Sequence, residues 1–277
     1  MREKKLHTKI VLFVIACVIV TVWVFPLIWA ISTSLKTPTE VIMPGFNIIP
    51  KEITKENFEE VLNSEYYPII KWFLNSVISS VTHVVLYLII ASLAAYSFAR
   101  LKFKGRETIF WICLCSMMVP GIINFIPNFI IVDRLGWLNT LKPMIFPGLS
   151  GIFGVFLLRQ FMSSIPKELD EAAYMDGASN FFIYLRIVLP LTKPALATLA
   201  IFSFQGNWND FMWPLIVTDL TEKRTLTAGL YIFQGAYNYS YGMLLAGAIV
   251  SAIPVLIVFI LLQKYFIKGI SLTGMKG

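Results

Sequence analysis

The sequence predicts an all-α integral membrane protein with six transmembrane helices. Three observations carry this. Hydrophobic residues make up 57% of the 277 and charged residues only 14%, with a mean hydropathy of +0.73; a soluble domain carries about 25% charged residues. The apolar residues fall in continuous runs near the length that crosses a bilayer, without the alternation of barrel strands. Lipid leaves only helices and closed barrels as spanning structures, so the runs are read as helices. Finally, with six spans, 15 of the 23 Lys and Arg fall on one side. The positive-inside rule then places both termini in the cytoplasm.

The predicted spans are about 10–30, 72–99, 108–132, 143–158, 194–218 and 242–267, forming one transmembrane domain over 1–277. The basic start, with Arg2, Lys4, Lys5 and Lys9, precedes a run too long for a signal-peptide core and without a clear cleavage site, so the first helix is expected to be retained. Residues 32–71 are polar and extracytoplasmic, with a short helix expected near 54–61. The second span ends in Arg100, Lys102, Lys104 and Arg106. The third is interrupted by Pro120-Gly121 and Pro127-Asn128, as in helices that line a cavity or pack on protein. Gly148, Gly151 and Gly154 in the fourth allow close helix packing. His83 stands mid-span, read as a polar interhelical contact or, less simply, a functional group. Cys17, Cys113 and Cys115 lie in apolar runs and read as small hydrophobes, with neither disulfide nor metal site inferred.

Between the fourth and fifth spans, residues 159–193 form a polar loop. Pro166 suits a first helical turn. Glu168, Asp170 and Glu171 then sit where the helix dipole favours negative charge. Leu169, Ala172 and Ala173 share a face. Gly177 is placed to end the helix in the left-handed conformation, Ser179 or Asn180 to cap the next, Phe181 to Val188, and Leu189-Pro190 to turn the chain toward the following apolar run. The product is a small rigid knob just outside the membrane, suited to docking.

The pattern Glu171-Ala172-Ala173-x3-Gly177-x9-Ile187-x-Leu189-Pro190 resembles the signature of permease subunits of ATP-binding cassette (ABC) importers. The chain is similar to the carbohydrate, maltose-type branch, and there to the smaller of its two permeases. The supporting pieces are Leu135-Gly136-Trp137-Leu138-Asn139-Thr140, Leu158-Arg159-Gln160-Phe161, Ile165-Pro166-Lys167-Glu168-Leu169, Trp208-Asn209-Asp210 and Gly274-Met275-Lys276-Gly277. The resemblance implies a type I importer fold in the cell membrane. Its partners would be a larger permease (a heterodimer), two ATPase subunits and an extracytoplasmic sugar-binding protein. Glu171, Ala172, Ala173, Gly177, Ile187, Leu189 and Pro190 would couple to the ATPase, which Lys268, Gly274, Lys276 and Gly277 of the tail would also contact. ATP and Mg would belong to that partner, with no cofactor in this chain. The loop at 219–241 would reach the binding protein.

The sequence contains no G-x-x-x-x-G-K-[ST] phosphate loop. Nor does it set out nucleophile, base and orienting residues at membrane depth, so nothing argues for an enzyme, and the net charge of +7 is accounted for by membrane anchoring without nucleic acid. Gln205, Asn207, Trp208, Asn209 and Asp210 form the candidate translocation path or gate, since an acid at that depth faces protein or water. An outer aromatic belt with a capping carboxylate is the other reading. The function read from the sequence is import of a sugar or oligosaccharide. The alternative is import of a non-sugar solute, because the coupling signature is shared.

Overall fold

A computed structural model describes residues 2–43, 47–63, 67–234 and 241–273, and these are mostly helical, with no strand among them. The first helices are α1 (Arg2–Ser34), α2 (Pro38–Ile42), α3 (Glu56–Asn63) and α4 (Ile69–Arg100). They are followed by α5 (Arg106–Cys115), α6 (Phe125–Arg134), α7 (Lys142–Ile145), α8 (Ile152–Ser164), α9 (Glu168–Met175) and α10 (Asn180–Ile183). The last are α11 (Leu189–Leu191), α12 (Lys193–Trp208), α13 (Met212–Val217), α14 (Leu226–Leu230) and α15 (Tyr241–Thr273).

Three stretches are long and apolar enough to cross a membrane unbroken, Lys9–Ser34, Ile69–Arg100 and Tyr241–Lys264. Three bent helix pairs complete the predicted six if each is one span. The third span breaks by 93° between Met118 and Gly121, where Pro120 lacks the N–H that would continue the ladder. The fourth bends by 49° at Gly151 and its helix continues to Ser164, six residues past the predicted end. The fifth is shorter than predicted: α12 stops at Trp208, and Asp210 caps α13 by accepting from the Trp213 N–H at 3.3 Å. That local bond competes with helix continuation.

The chain divides into two compact units where the sequence suggested one domain. One is Met1–Ile70 with Gly229–Ala252; the other is Lys71–Ala228 with Ile253–Gly277. In the first, the Asn57 amide donates to the carbonyls of Ser34 and Lys36 at 2.9 and 2.8 Å, and Tyr67 meets Phe233 edge-on. In the second, α4, α8, α9, residues 183–188 and α12 share one core, including Tyr87, Tyr96, Leu158, Met162, Ile183 and Leu199. The glycines of the fourth span work as expected. A Cβ on Gly154 would lie 2.6 Å from the Tyr87 oxygen, and one on Gly148 would lie 2.8 Å from the His83 ring. Helix α4 therefore packs on backbone. The first turns of α4 also hold the chain beyond α13: Trp72 Nε1 donates to Thr221 O at 2.6 Å, and Asn75 Nδ2 to Glu222 O and Arg224 O at 2.9 Å.

A clamped surface helix and a polar cavity

The stretch around Glu171-Ala172-Ala173 is built as its residues dictate. Helix α9 begins after Pro166 with Glu168, Asp170 and Glu171 in its first turn. It ends at Gly177, whose φ of 80° lies in the left-handed region. Gly177 N–H donates to Tyr174 O at 3.0 Å and Ala178 N–H to Ala173 O at 2.9 Å, the paired bonds of a Schellman stop. Of the two capping candidates, Ser179 is the one used, accepting from Phe182 N–H at 3.2 Å. The following helix widens into a π turn over Tyr184–Val188 before Pro190, since proline offers no N–H to a regular turn.

The signature divides between two directions. Ala173, 9% exposed, joins the chain's own core, with Ile187 and Leu189 packed partly against it. Glu171, Ala172, Gly177 and Pro190 are exposed. Met175, 88% exposed, crowns the end of α9, a residue that sequence reasoning missed. Its signal was an apolar side chain two residues before a helix-stopping glycine, off the Leu169-Ala172-Ala173 face.

What fixes α9 was also missed. Arg100, at the end of α4, pairs with Asp170 at 3.3 Å and donates to Ile165 O at 2.8 Å. The two charged side chains are 2% and 11% exposed. One turn back on the same face of α4, Tyr96 OH donates to Asn180 O at 3.0 Å; a further turn back, Ser92 meets Tyr184 OH at 2.8 Å. Burial pushes the Asp170 carboxyl above its ordinary value, with the Arg100 guanidinium pulling the other way. Beside the clamp, a groove of about 840 Å³ is lined by Lys102, Arg106, Lys167, Glu171 and Tyr174 among others. Glu107 ties α5 to α8 by accepting twice from Arg159 Nη2 at 2.8 Å.

At the other end of the same unit, a cavity of about 340 Å³ opens between α4, residues 143–148, α8 and α12. Of the five sequence-predicted path residues, Asn207 and Asp210 line it. Asn207 Nδ2 donates to Met144 O at 2.7 Å and its Oδ1 accepts from Ser80 at 2.9 Å. Gln205, Trp208 and Asn209 are not among the lining residues. Trp208, 1% exposed, is core: it stacks on Phe204 at 5.4 Å and meets Phe73 edge-on. His83, Tyr87 and Ser203 line the cavity in addition. His83 makes the interhelical contact expected of it, through Nδ1 to Ile145 O at 2.7 Å. In the predicted tail, the helical backbone includes Lys268, whereas Gly274, Lys276 and Gly277 lie outside the described residues. Among the described residues there is no cluster of metal-ligating side chains.

Known proteins share this architecture. The chain is 37% identical over 258 residues to the arabinooligosaccharides transport system permease protein AraQ of Halalkalibacterium halodurans, covering 92% of this chain and 91% of the relative. It is 31% identical to the galactooligosaccharides transport system permease protein GanQ of Bacillus subtilis, covering 92% and 90%. Among solved structures, a chain of a bacterial ABC transporter involved in the import of the acidic polysaccharide alginate superposes with a TM-score of 0.82 at 25% identity, covering 96% and 98%. The model of the binding-protein-dependent transport system inner membrane component matches residues 87–272. With its multi-pass helical fold, its exposed clamped helix and these relatives, the chain belongs to that family of inner membrane transport components.

Proposed function

We propose that the chain is one of two permease subunits of an ATP-driven importer of a sugar or oligosaccharide, and that α9 couples it to a separate ATPase. The observation that carries this is the presentation of α9. A short helix with exposed Glu171, Ala172 and Met175 is locked at its end by a glycine stop and at its first turn by a buried ion pair to a membrane-length helix. A rigid, protruding, partly apolar helix suits insertion into a partner's cleft and can pass on a push without bending. ATP and Mg act in the ATPase; both termini and residues 159–193 face it in the cytoplasm. The cavity beside Asp210 is part of the solute path.

The sugar class is supported by the relatives that transport arabinooligosaccharides and galactooligosaccharides. The fold alone does not choose a solute, since it is shared at a TM-score of 0.57 and 15% identity with the MetNI methionine ABC transporter. An extracytoplasmic binding protein fits the solved alginate transporter in complex with a periplasmic protein, a chain of which superposes at 18% identity with a TM-score of 0.66.

The test is ATPase stimulation by loaded binding protein in the reconstituted complex. Glu171→Lys should abolish stimulation while membrane levels of the permease stay normal, since a reversed charge at a desolvated contact typically costs about 3–5 kcal/mol. Full stimulation would remove α9 from the coupling role.

A further inference from the structure

The polar groups that the cavity leaves uncommitted are of one kind. His83 Nδ1 sits 2.7 Å from the Ile145 carbonyl and donates to it, which leaves Nε2 for the cavity. Asp210 gives one carboxylate oxygen to the Trp213 N–H and forms no ion pair among the described residues. Ser203 Oγ is buried without a hydrogen-bond partner. No Lys or Arg lines the cavity. Its remaining wall is largely apolar, with Phe153 and Phe202 edge to face at 6.2 Å and Trp213 nearby.

This set favours one ligand chemistry. Sugar hydroxyls, which donate and accept, can bond His83 Nε2 and donate to the Asp210 carboxylate, and Ser203 can donate or accept. The C–H faces of a sugar ring suit the aromatic wall. A uronate ring instead brings a second carboxylate beside Asp210 with no Lys or Arg in the wall to compensate, and like charges in a desolvated site repel strongly. The volume is at the small end of the ~300–1,000 Å³ range of ligand sites, so it holds a short section of an oligosaccharide.

We propose that this cavity is a subsite for an uncharged sugar ring, contributed by this subunit, and that Asp210 makes it reject uronates. The proposal rests on the sugar-importer reading above. It predicts a solute unlike the acidic polysaccharide named for its structural relative.

The test uses the complete transporter in proteoliposomes. Gly206 lines the cavity and a Cβ there meets nothing within 4 Å, so Gly206→Cys is a reporter once Cys17, Cys113 and Cys115 are replaced. Relative to free cysteine, a trimethylammonium thiol reagent should label it faster than a sulfonate reagent by on the order of tenfold, about 1.4 kcal/mol, and Asp210→Asn should erase the preference. Galactobiose or arabinotriose should slow labelling, whereas digalacturonate should do so only with Asp210→Asn. His83→Ala should weaken protection by the neutral sugar. In parallel, uptake of the same three saccharides is measured with unlabelled transporter, native and Asp210→Asn, so that the result does not depend on the reporter. Equal labelling by the two reagents, or equal protection by digalacturonate in the presence of Asp210, would overturn the proposal. Import of a neutral saccharide without protection would overturn it while leaving the importer reading intact. Import of none of the saccharides by a transporter that still hydrolyses ATP would overturn the sugar reading, and this proposal with it.

Discussion

Replacing Arg100 with alanine should free α9 from the membrane helix that holds it. The perturbation leaves Asp170, 11% exposed, without its cation, and the Ile165 carbonyl without its donor. Breaking a buried pair on one side costs about 3–5 kcal/mol. The cost should fall on α9, because Arg100 touches both its first turn, at Asp170, and the residue before Pro166. A loss of ~3 kcal/mol corresponds to roughly a hundredfold more open α9, read as faster amide exchange over 168–175 in the assembled complex, with α12 unchanged. Asp170→Ala should do the same from the other side. The double variant Arg100→Met with Asp170→Leu should recover most of the loss. Burial already pushes the Asp170 carboxyl up, so the ion pair gives back little beyond its own desolvation, and apolar replacements of such pairs are often neutral. Strictly additive losses, or unchanged exchange in Arg100→Ala, would refute the clamp.

Further outcomes follow from the same geometry. Gly177→Asn should keep coupling and Gly177→Val should lose it. A side chain there has open space, so only the positive φ discriminates, and Asn tolerates that region where a β-branched residue does not; equal activity of the two, read as stimulated ATPase, would show that the stop is dispensable. Gly154→Val should lower the thermal stability of the complex sharply, because a Cβ there meets both the Tyr87 ring and Leu199 within 3 Å; an unchanged melting temperature would contradict the close packing of α8 on α4. A thiol reagent that does not cross membranes, applied to intact cells, should label cysteines at 219–222 and spare any at 171–177; the reverse pattern would invert the topology.

The sequence could be read where the information is local. Continuous apolar runs fixed the helical class, and the 93° break was visible as Pro120-Gly121 because backbone chemistry alone decides it. The start of α9, its acidic first turn and its glycine stop were equally local. The division of Ala172 from Ala173 was not, since adjacent helical positions point about 100° apart and only the packed core decides which is covered. Arg100 and Asp170 lie seventy positions apart, and nothing in either neighbourhood announces the other. Trp208 was read with the path residues because it stands beside Asn209 and Asp210, yet Phe204 and Phe73 enclose it. The early end of α12 was legible in principle: Asp210 three residues before Trp213 is a helix-capping spacing. His83 joins the cavity because Gly148, with no Cβ, leaves room for its ring.

The claim that α9 is the docking element is tested most directly by site-specific cross-linking of single cysteines to the ATPase subunit in the assembled transporter. Cysteines at Ala172 and Met175, both exposed, should cross-link, and their yield should change with ATP. A cysteine at Ala173, which faces the chain's own core, should not. Cross-linking from Ala173 with none from Ala172 or Met175 would contradict the account.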